Sequence, residues 1–305
     1  MRTGFRSVLV PLDGSTTAEQ ALSVGASLAH RSGAPLHLVS VREPVPVAAA
    51  VEAGADGVEL GRESRAELSR YLAGTLDTAR ASQGIPVCGE VLEGTAADAV
   101  TGYVERHDIG LVVMTTHARI GFKRLVLGSV ADQLLRRLSR PVLLLHPSDL
   151  PQPTRFRRIL IALDGQLEDP VLEPAIALGT LEEGAEFVLF RATEPPMPLL
   201  SPLGASSPSL GRARLDRGSE EIAREYLERV AERLRARGLR VTWRVARARD
   251  VRAKIIELAR EIGADCIAVG THGLGGIERL LIGSVADDVV RRTALPVLVG
   301  PAGHR

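Results

Sequence analysis

The chain is short of several things at once, and each shortage removes a class of function. Aromatic residues make up 3% of 305 residues, too few to build the base-stacking platforms that hold single-stranded nucleic acid. No charge of one sign dominates: 38 basic and 37 acidic side chains leave a formal net charge of +1. Bulk attraction to nucleic acid needs a clustered basic surface, so a nucleic-acid partner is not expected. No window approaches ~18 uninterrupted apolar residues, so a membrane partner is not expected either. The start, Met1-Arg2-Thr3-Gly4-Phe5-Arg6, runs into an apolar strand without the apolar core of a signal peptide. There are two cysteines, Cys88 and Cys266, with no histidine or cysteine beside either at ligand spacing. They read as two buried core thiols in a reducing, cytoplasmic compartment, and no metal centre is expected. Only Lys123 and Lys254 are lysine, and no function follows from that.

What the chain does have is a repeat. Val8-Leu9-Val10-Pro11-Leu12-Asp13-Gly14 is echoed by Ile159-Leu160-Ile161-Ala162-Leu163-Asp164-Gly165. Leu125-Val126-Leu127-Gly128-Ser129-Val130-Ala131-Asp132 returns as Leu280-Leu281-Ile282-Gly283-Ser284-Val285-Ala286-Asp287, and Arg140-Pro141-Val142-Leu143 as Leu295-Pro296-Val297-Leu298. Two copies of one unit therefore stand in tandem, over 1–147 and 156–305, joined by the proline-rich Pro147–Pro153.

Each copy alternates strand and helix patterns. Val8–Leu12, Leu36–Val41, Ile85–Leu92, Leu111–Met114 and Val142–Leu145 read as strands of the first copy. Helices are expected over Thr17–Arg31, Ser64–Ser82 and Ala96–Arg106, and after Ser129; Leu68, Leu72 and Leu76 line the second of these. In the second copy Ile222, Tyr226, Val230 and Leu234 form the matching stripe. Strict alternation implies right-handed crossovers and an α/β fold, doubly wound, with a parallel sheet in each copy. Ligands of such sheets bind beyond the carboxyl ends of the strands. Glu43–Gly61 and Glu194–Gly211, rich in Pro, Ala, Gly and Ser, read as loops near those ends.

The most informative stretch is Gly270-Thr271-His272-Gly273, followed after nine residues by Gly283-Ser284-Val285. A backbone approaches a phosphate closely where no Cβ intervenes. Ser284 with Asp287 three residues on has the pattern of a capping box. The free amides and positive dipole end of that helix would make an anion site. Taken alone, the same glycines could equally do no more than shape a long loop.

With the strand-one Asp and the Gly-x2-Gly-x9-Gly-Ser spacing together, the chain resembles the universal stress protein family in both halves. The resemblance implies two five-stranded parallel domains of strand order 3-2-1-4-5. It also implies an adenine nucleotide, ATP or ADP or AMP, with Mg or Mn on its phosphates. Family members usually pair through their fifth strands, which here would join Val142–Leu145 to Val297–Val299 as a pseudo-dimer within one chain, with a homodimer open beyond it. Carried over by the resemblance, Asp164 lies near the adenosine, Ala192 meets the adenine, and Gly270, Thr271, His272, Gly273, Gly283, Ser284 and Val285 hold phosphate. Gln166 departs from the family's serine. In the first half Asp13, Val41, Gly128 and Ser129 match, but Thr115 and Ala118 stand where two glycines belong. A Cβ at Ala118 with positive φ would cost ~1–2 kcal/mol, and Thr115 is β-branched and stiffer. Nucleotide is therefore expected mainly in the second half.

No catalytic residue can be named. His117 and His272 occupy matching places but no Ser-His-Asp or Cys-His arrangement surrounds them, and there is no Gly-x-x-x-x-Gly-Lys-Ser/Thr loop. Arg119, Lys123, Arg124 and Arg279 suit solvated surface positions. The expected role is a nucleotide-binding sensor or regulator of stress response. A nucleotide-independent dimerising scaffold and a slow ATPase are the alternatives.

Overall fold

A computed structural model describes residues 4–44, 57–116, 127–166, 169–193, 209–271 and 283–301. Ten strands and eight helices alternate along these residues. The first half runs β1 (Val8–Pro11), α1 (Thr16–Ser32), β2 (Leu36–Arg42), α2 (Gly57–Gln83), β3 (Val87–Glu93), α3 (Ala96–Arg106), β4 (Leu111–Thr115), α4 (Ser129–Arg137) and β5 (Val142–Leu145). The second half follows with β6 (Arg158–Ala162), α5 (Leu172–Gly179), β7 (Glu186–Thr193), α6 (Ser209–Arg235), β8 (Arg240–Arg247), α7 (Val251–Glu261), β9 (Cys266–Val269), α8 (Ser284–Arg292) and β10 (Val297–Val299).

Local chemistry explains most boundaries. The Ser15 hydroxyl accepts from the Ala18 amide at 3.1 Å to open α1, and Gly33, at φ +59°, closes it in the left-handed conformation that suits glycine. Thr95 and Asp250 cap α3 and α7 in the same way. The short apolar runs Leu111–Thr115, Val142–Leu145 and Cys266–Val269 are buried along their whole length, as strands covered by helices on both faces must be.

Each half is a parallel sheet of order 3-2-1-4-5, and the two halves are one sheet: β3-β2-β1-β4-β5-β10-β9-β6-β7-β8. The seam is the single antiparallel pairing, with Val142 opposite Val299, Leu143 opposite Leu298 and Leu144 opposite Val297. Helices α1, α2, α5 and α6 cover one face of this sheet and α3, α4, α7 and α8 the other, so each apolar layer runs unbroken across both halves. Because the seam is antiparallel, the carboxyl ends of the first half's strands and those of the second half's point in opposite directions. A buried ion pair pins the join from outside: Arg31 of α1 meets Glu182 and donates to the Thr154 carbonyl, with Arg155 3.7 Å from Glu182.

Three expectations change. Cys266 is buried but Cys88 is exposed, because β3 is an outer strand and its middle residues face solvent. Ile222 is 62% exposed, while Tyr226, Val230 and Leu234 are buried. Four-residue steps drift by about 40° per step around a helix, and the buried stripe passes through Ala223 and Leu227 instead. The segments read as loops also begin helices: α2 starts at Gly57 and α6 at Ser209; residues 45–56 and 194–208 lie outside the described residues. Among the described residues no helix is long and apolar enough to cross a membrane.

Packing against the sheet is tight where helix meets strand. A Cβ added at Gly179, in α5, would lie 2.5 Å from Cζ of the fully buried Phe187. Gly179→Ala should therefore lower unfolding free energy by ~1–3 kcal/mol despite alanine's better helix propensity. Denaturant titration checks this; unchanged or higher stability would show that the ring yields.

Candidate functional site

The candidate site of each half lies where its first and fourth strands end. At the end of β1 the Asp13 carboxylate accepts from the Ser15 amide at 2.9 Å, and at the end of β6 Asp164 does the same for Gln166. These are Asx turns. They need the intervening glycines, Gly14 at φ +83° and Gly165 at φ +99°. The two turns then diverge. Ser15 is committed to capping α1, whereas the Gln166 side-chain amide folds back to donate to the second oxygen of Asp164 at 2.9 Å. Asp164 is thus held twice by one residue. Beyond it, Asp169 accepts from the Val171 amide at 3.1 Å, and burial pushes its carboxyl up to about 6.

Sequence reasoning missed two residues that shape the second turn. The Arg191 guanidinium lies directly against Gly165 and stacks 5.2 Å from the Tyr226 ring. The Tyr226 hydroxyl donates to the Gln166 carbonyl at 2.8 Å. Burial pushes that phenol up to about 12. The matching strand position in the first half is Ser40, fully buried, and nothing stands within 4 Å of a Cβ at Gly14. An arginine interrupting the apolar run of β7 was the only sequence signal.

Val41 and Ala192 hold equivalent places: Leu12 donates to the Val39 carbonyl and Leu163 to the Phe190 carbonyl, both at 2.8 Å, two residues before each. Both are half-buried near the carboxyl end of the second strand of their half. On the fourth strands, Thr115 is the last residue of β4, paired with Leu145 and buried, while Gly270 lies just past β9. Thr115 is in extended geometry that a β-branched residue fits, so its stiffness imposes no strain there. His117, Ala118, His272 and Gly273 lie outside the described residues.

The helices that follow begin differently from the capping box expected at Ser284. The cap position is Gly283 (φ −52°, ψ 137°), Ser284 is the first helical residue, and no side chain caps α8 among the described residues. Gly128 opens α4 in the same way. Asp287 does not reach back; both its oxygens accept from Arg291 at 2.9 Å, as Asp132 pairs with Arg136. The acidic charge of each first turn is thereby offset, and the amides of Ser284, Val285 and Ala286 precede the first closed helical bond, Asp287 to the Gly283 carbonyl at 3.1 Å. The Gly283 amide donates to the Thr271 carbonyl at 2.6 Å, which sets the helix start against the end of β9. A helix start whose first amides have no side-chain cap among the described residues favours an anion. Ser129 and Ser284 are exposed beside it. Among the described residues no group of three His, Cys, Asp or Glu side chains is placed to hold a metal.

The profile described as the universal stress protein family matches residues 4–146 and again 155–301. The chain belongs to the universal stress protein family, as a tandem of two units. It is 26% identical over 304 residues to a universal stress protein of Mycobacterium tuberculosis, covering 96% of both chains. It is 25% identical over 296 residues to one of Mycolicibacterium smegmatis, again covering 96% of each. A solved universal stress protein from Archaeoglobus fulgidus superposes with a TM-score of 0.70 at 18% identity, over 98% of this chain and 99% of that one; this likeness is one of fold.

One further asymmetry of this universal stress protein lies beside the first site. His146, just past β5, is buried, and its Nδ1 lies 3.2 Å from the Thr116 hydroxyl; Pro301 holds the matching place in the second half. Burial lowers the imidazole from 6.5 to about 4. The folded state then resists a proton that the unfolded chain accepts, so His146 subtracts stability as pH falls from 6.5 toward about 4. Its ring-proton NMR shift should stay flat through 6.5 and move only near about 4, and His146→Gln should lessen the acid loss. A midpoint near 6.5 would contradict the burial.

Proposed function

We propose that this chain is a nucleotide-responsive regulator whose second half binds an adenine nucleotide, ATP or ADP or AMP, and whose first half binds it weakly or not at all. The observation that carries the reading is the intact glycine segment Gly270–Ser284 leading into a helix, α8, that no side chain caps among the described residues. Backbone at Gly270 and Gly273 admits a phosphate closely, the first amides of α8 donate to it, and the Ser284 hydroxyl adds a donor. The ribose hydroxyls turn to Asp164 and the adenine lies on the backbone at Ala192. Thr271 and His272 belong to the same phosphate loop. A Mg or Mn ion would accompany the phosphates and offset their charge.

In the first half α4 starts just as openly at Gly128 and Ser129, and Asp13 and Val41 stand in the matching places. The difference is the methyl of Ala118 and the side chain of Thr115 where the second half has glycine. The domain boundary falls within 147–156, and the two units form a pseudo-dimer about the β5–β10 seam. A cytoplasmic location goes with this reading.

Gln166 favours a second reading, a nucleotide-independent scaffold. A ribose at Asp164 would share the carboxylate with the Gln166 side-chain amide or displace it, and displacement costs on the order of 1 kcal/mol. Calorimetry separates the two readings. One Mg·ATP per chain is expected, with Gly273→Val abolishing the heat while leaving the thermal unfolding of the free protein unchanged. Saturating nucleotide at about 100 times the dissociation constant should add ~2.7 kcal/mol of stability. Two equal sites would overturn the asymmetry, and no heat would favour the scaffold.

A further inference from the structure

The two outer strands of the sheet are β3 and β8; each pairs with the second strand of its half, Leu92 beside Val41 and Ala246 beside Ala192. An outer strand offers N–H and C=O groups as a template for another chain; here the Val87, Val241 and Trp243 carbonyls already accept from the side chains of Arg80, Arg235 and Arg244, which a paired strand displaces. A groove of about 510 Å³ runs along β8, lined by Arg224, Arg235, Thr242, Trp243, Arg244 and Val245. We propose that β8 of one molecule pairs antiparallel with β3 of a second copy, so that the sheet continues head to tail from molecule to molecule.

Three observations converge on that occupant. The first is polarity. Strands within each half are parallel and the seam is antiparallel, so β8 runs opposite to β3, and a second copy set alongside with its faces matched presents β3 antiparallel to β8. The second is the side-chain pattern. Val91 of β3 and Trp243 and Val245 of β8 face the apolar layer of α2 and α6, and Leu92 of β3 faces the opposite layer. Alternation along a strand then puts Cys88 and Glu90 on the same side as Arg240, Thr242 and Arg244.

The third is register. Setting Glu90 opposite Arg244 makes all seven residues of β3 overlap β8, brings half-buried Val91 against half-buried Trp243, and places Cys88 opposite Ala246. Apolar and opposite-charge cross-strand pairs each favour such a ladder. Two β8 strands, or two β3 strands, have no opposite-charge pair to offer on that side, because β8 carries Arg240 and Arg244 there and β3 carries Glu90. Glu90 and Arg244 are exposed, so the contact is weak, reversible and sensitive to salt. It joins different patches, and therefore grows in a line rather than closing as a dimer.

The native exposed thiol of Cys88 makes a direct test on the full chain, because Cys266 is fully buried. Ala246→Cys is oxidised with diamide at low salt and the products are resolved by non-reducing electrophoresis and peptide mass spectrometry. The proposal predicts a ladder of covalent oligomers joined by disulfides between Cys88 and position 246. Glu90→Arg in the same background should cut the ladder about tenfold, equivalent to 1.4 kcal/mol, and adding Arg244→Glu should restore it. Circular dichroism confirms that each variant is folded. A product joined through two Cys88 residues, or through two 246 positions, overturns the proposal, as does an uncross-linked monomer at every concentration. Undiminished ladders in Glu90→Arg overturn the charge register.

Discussion

Three opposed residue pairs between β5 and β10 determine the architecture of this molecule. Val142–Val299, Leu143–Leu298 and Leu144–Val297 turn two parallel sheets into one of ten strands. All six side chains are buried, alternately in the two apolar layers. Neither half can present its β5 or β10 edge to solvent without opening both layers, so the halves are energetically one body at this line. Its antiparallel sense also sends the two candidate sites to opposite ends of the sheet.

That separation lets the two sites differ. Both keep the Asp-Gly turn, a half-buried small residue near the carboxyl end of the second strand and a glycine-opened helix. In the first half Thr115 ends the strand and Thr116 lies against His146, while the place of Arg191 is taken by the buried Ser40 and the turn at Gly14 is open. The second half keeps glycine at Gly270 and proline at Pro301, but ties its strand-one turn with Gln166, Arg191 and Tyr226. Under the proposed function, phosphate access and ribose access would be controlled by different residues. The proposed preference for the second half weighs open phosphate backbone against the bond that Gln166 makes to Asp164.

Much of the fold was legible because parallel strands buried on both faces are written as unbroken apolar runs. Val142–Leu145 is one such run and starts and ends where the sequence says. Features that depend on strand order were not legible. Cys88 looks like any strand cysteine until β3 is known to be outermost. Arg191 is an anomaly in β7 until Gly165, from another strand, is found beneath it. The helix start at Gly283-Ser284 is a subtler case. Glycine and serine are both good caps, and only the backbone angles assign the cap to glycine, with no side-chain cap among the described residues. At the candidate site the residue types were readable, while their commitments to one another were not.

The central claim is that adenine lies against the second half and not the first. Photolabelling of the full chain with an azidoadenine analogue of ATP, followed by peptide mapping, reports the position of the base directly. The account predicts label on the peptide that carries Ala192 and, at the same occupancy, none on the peptide that carries Val41. Equal labelling of both peptides, or labelling of Val41 alone, would contradict it.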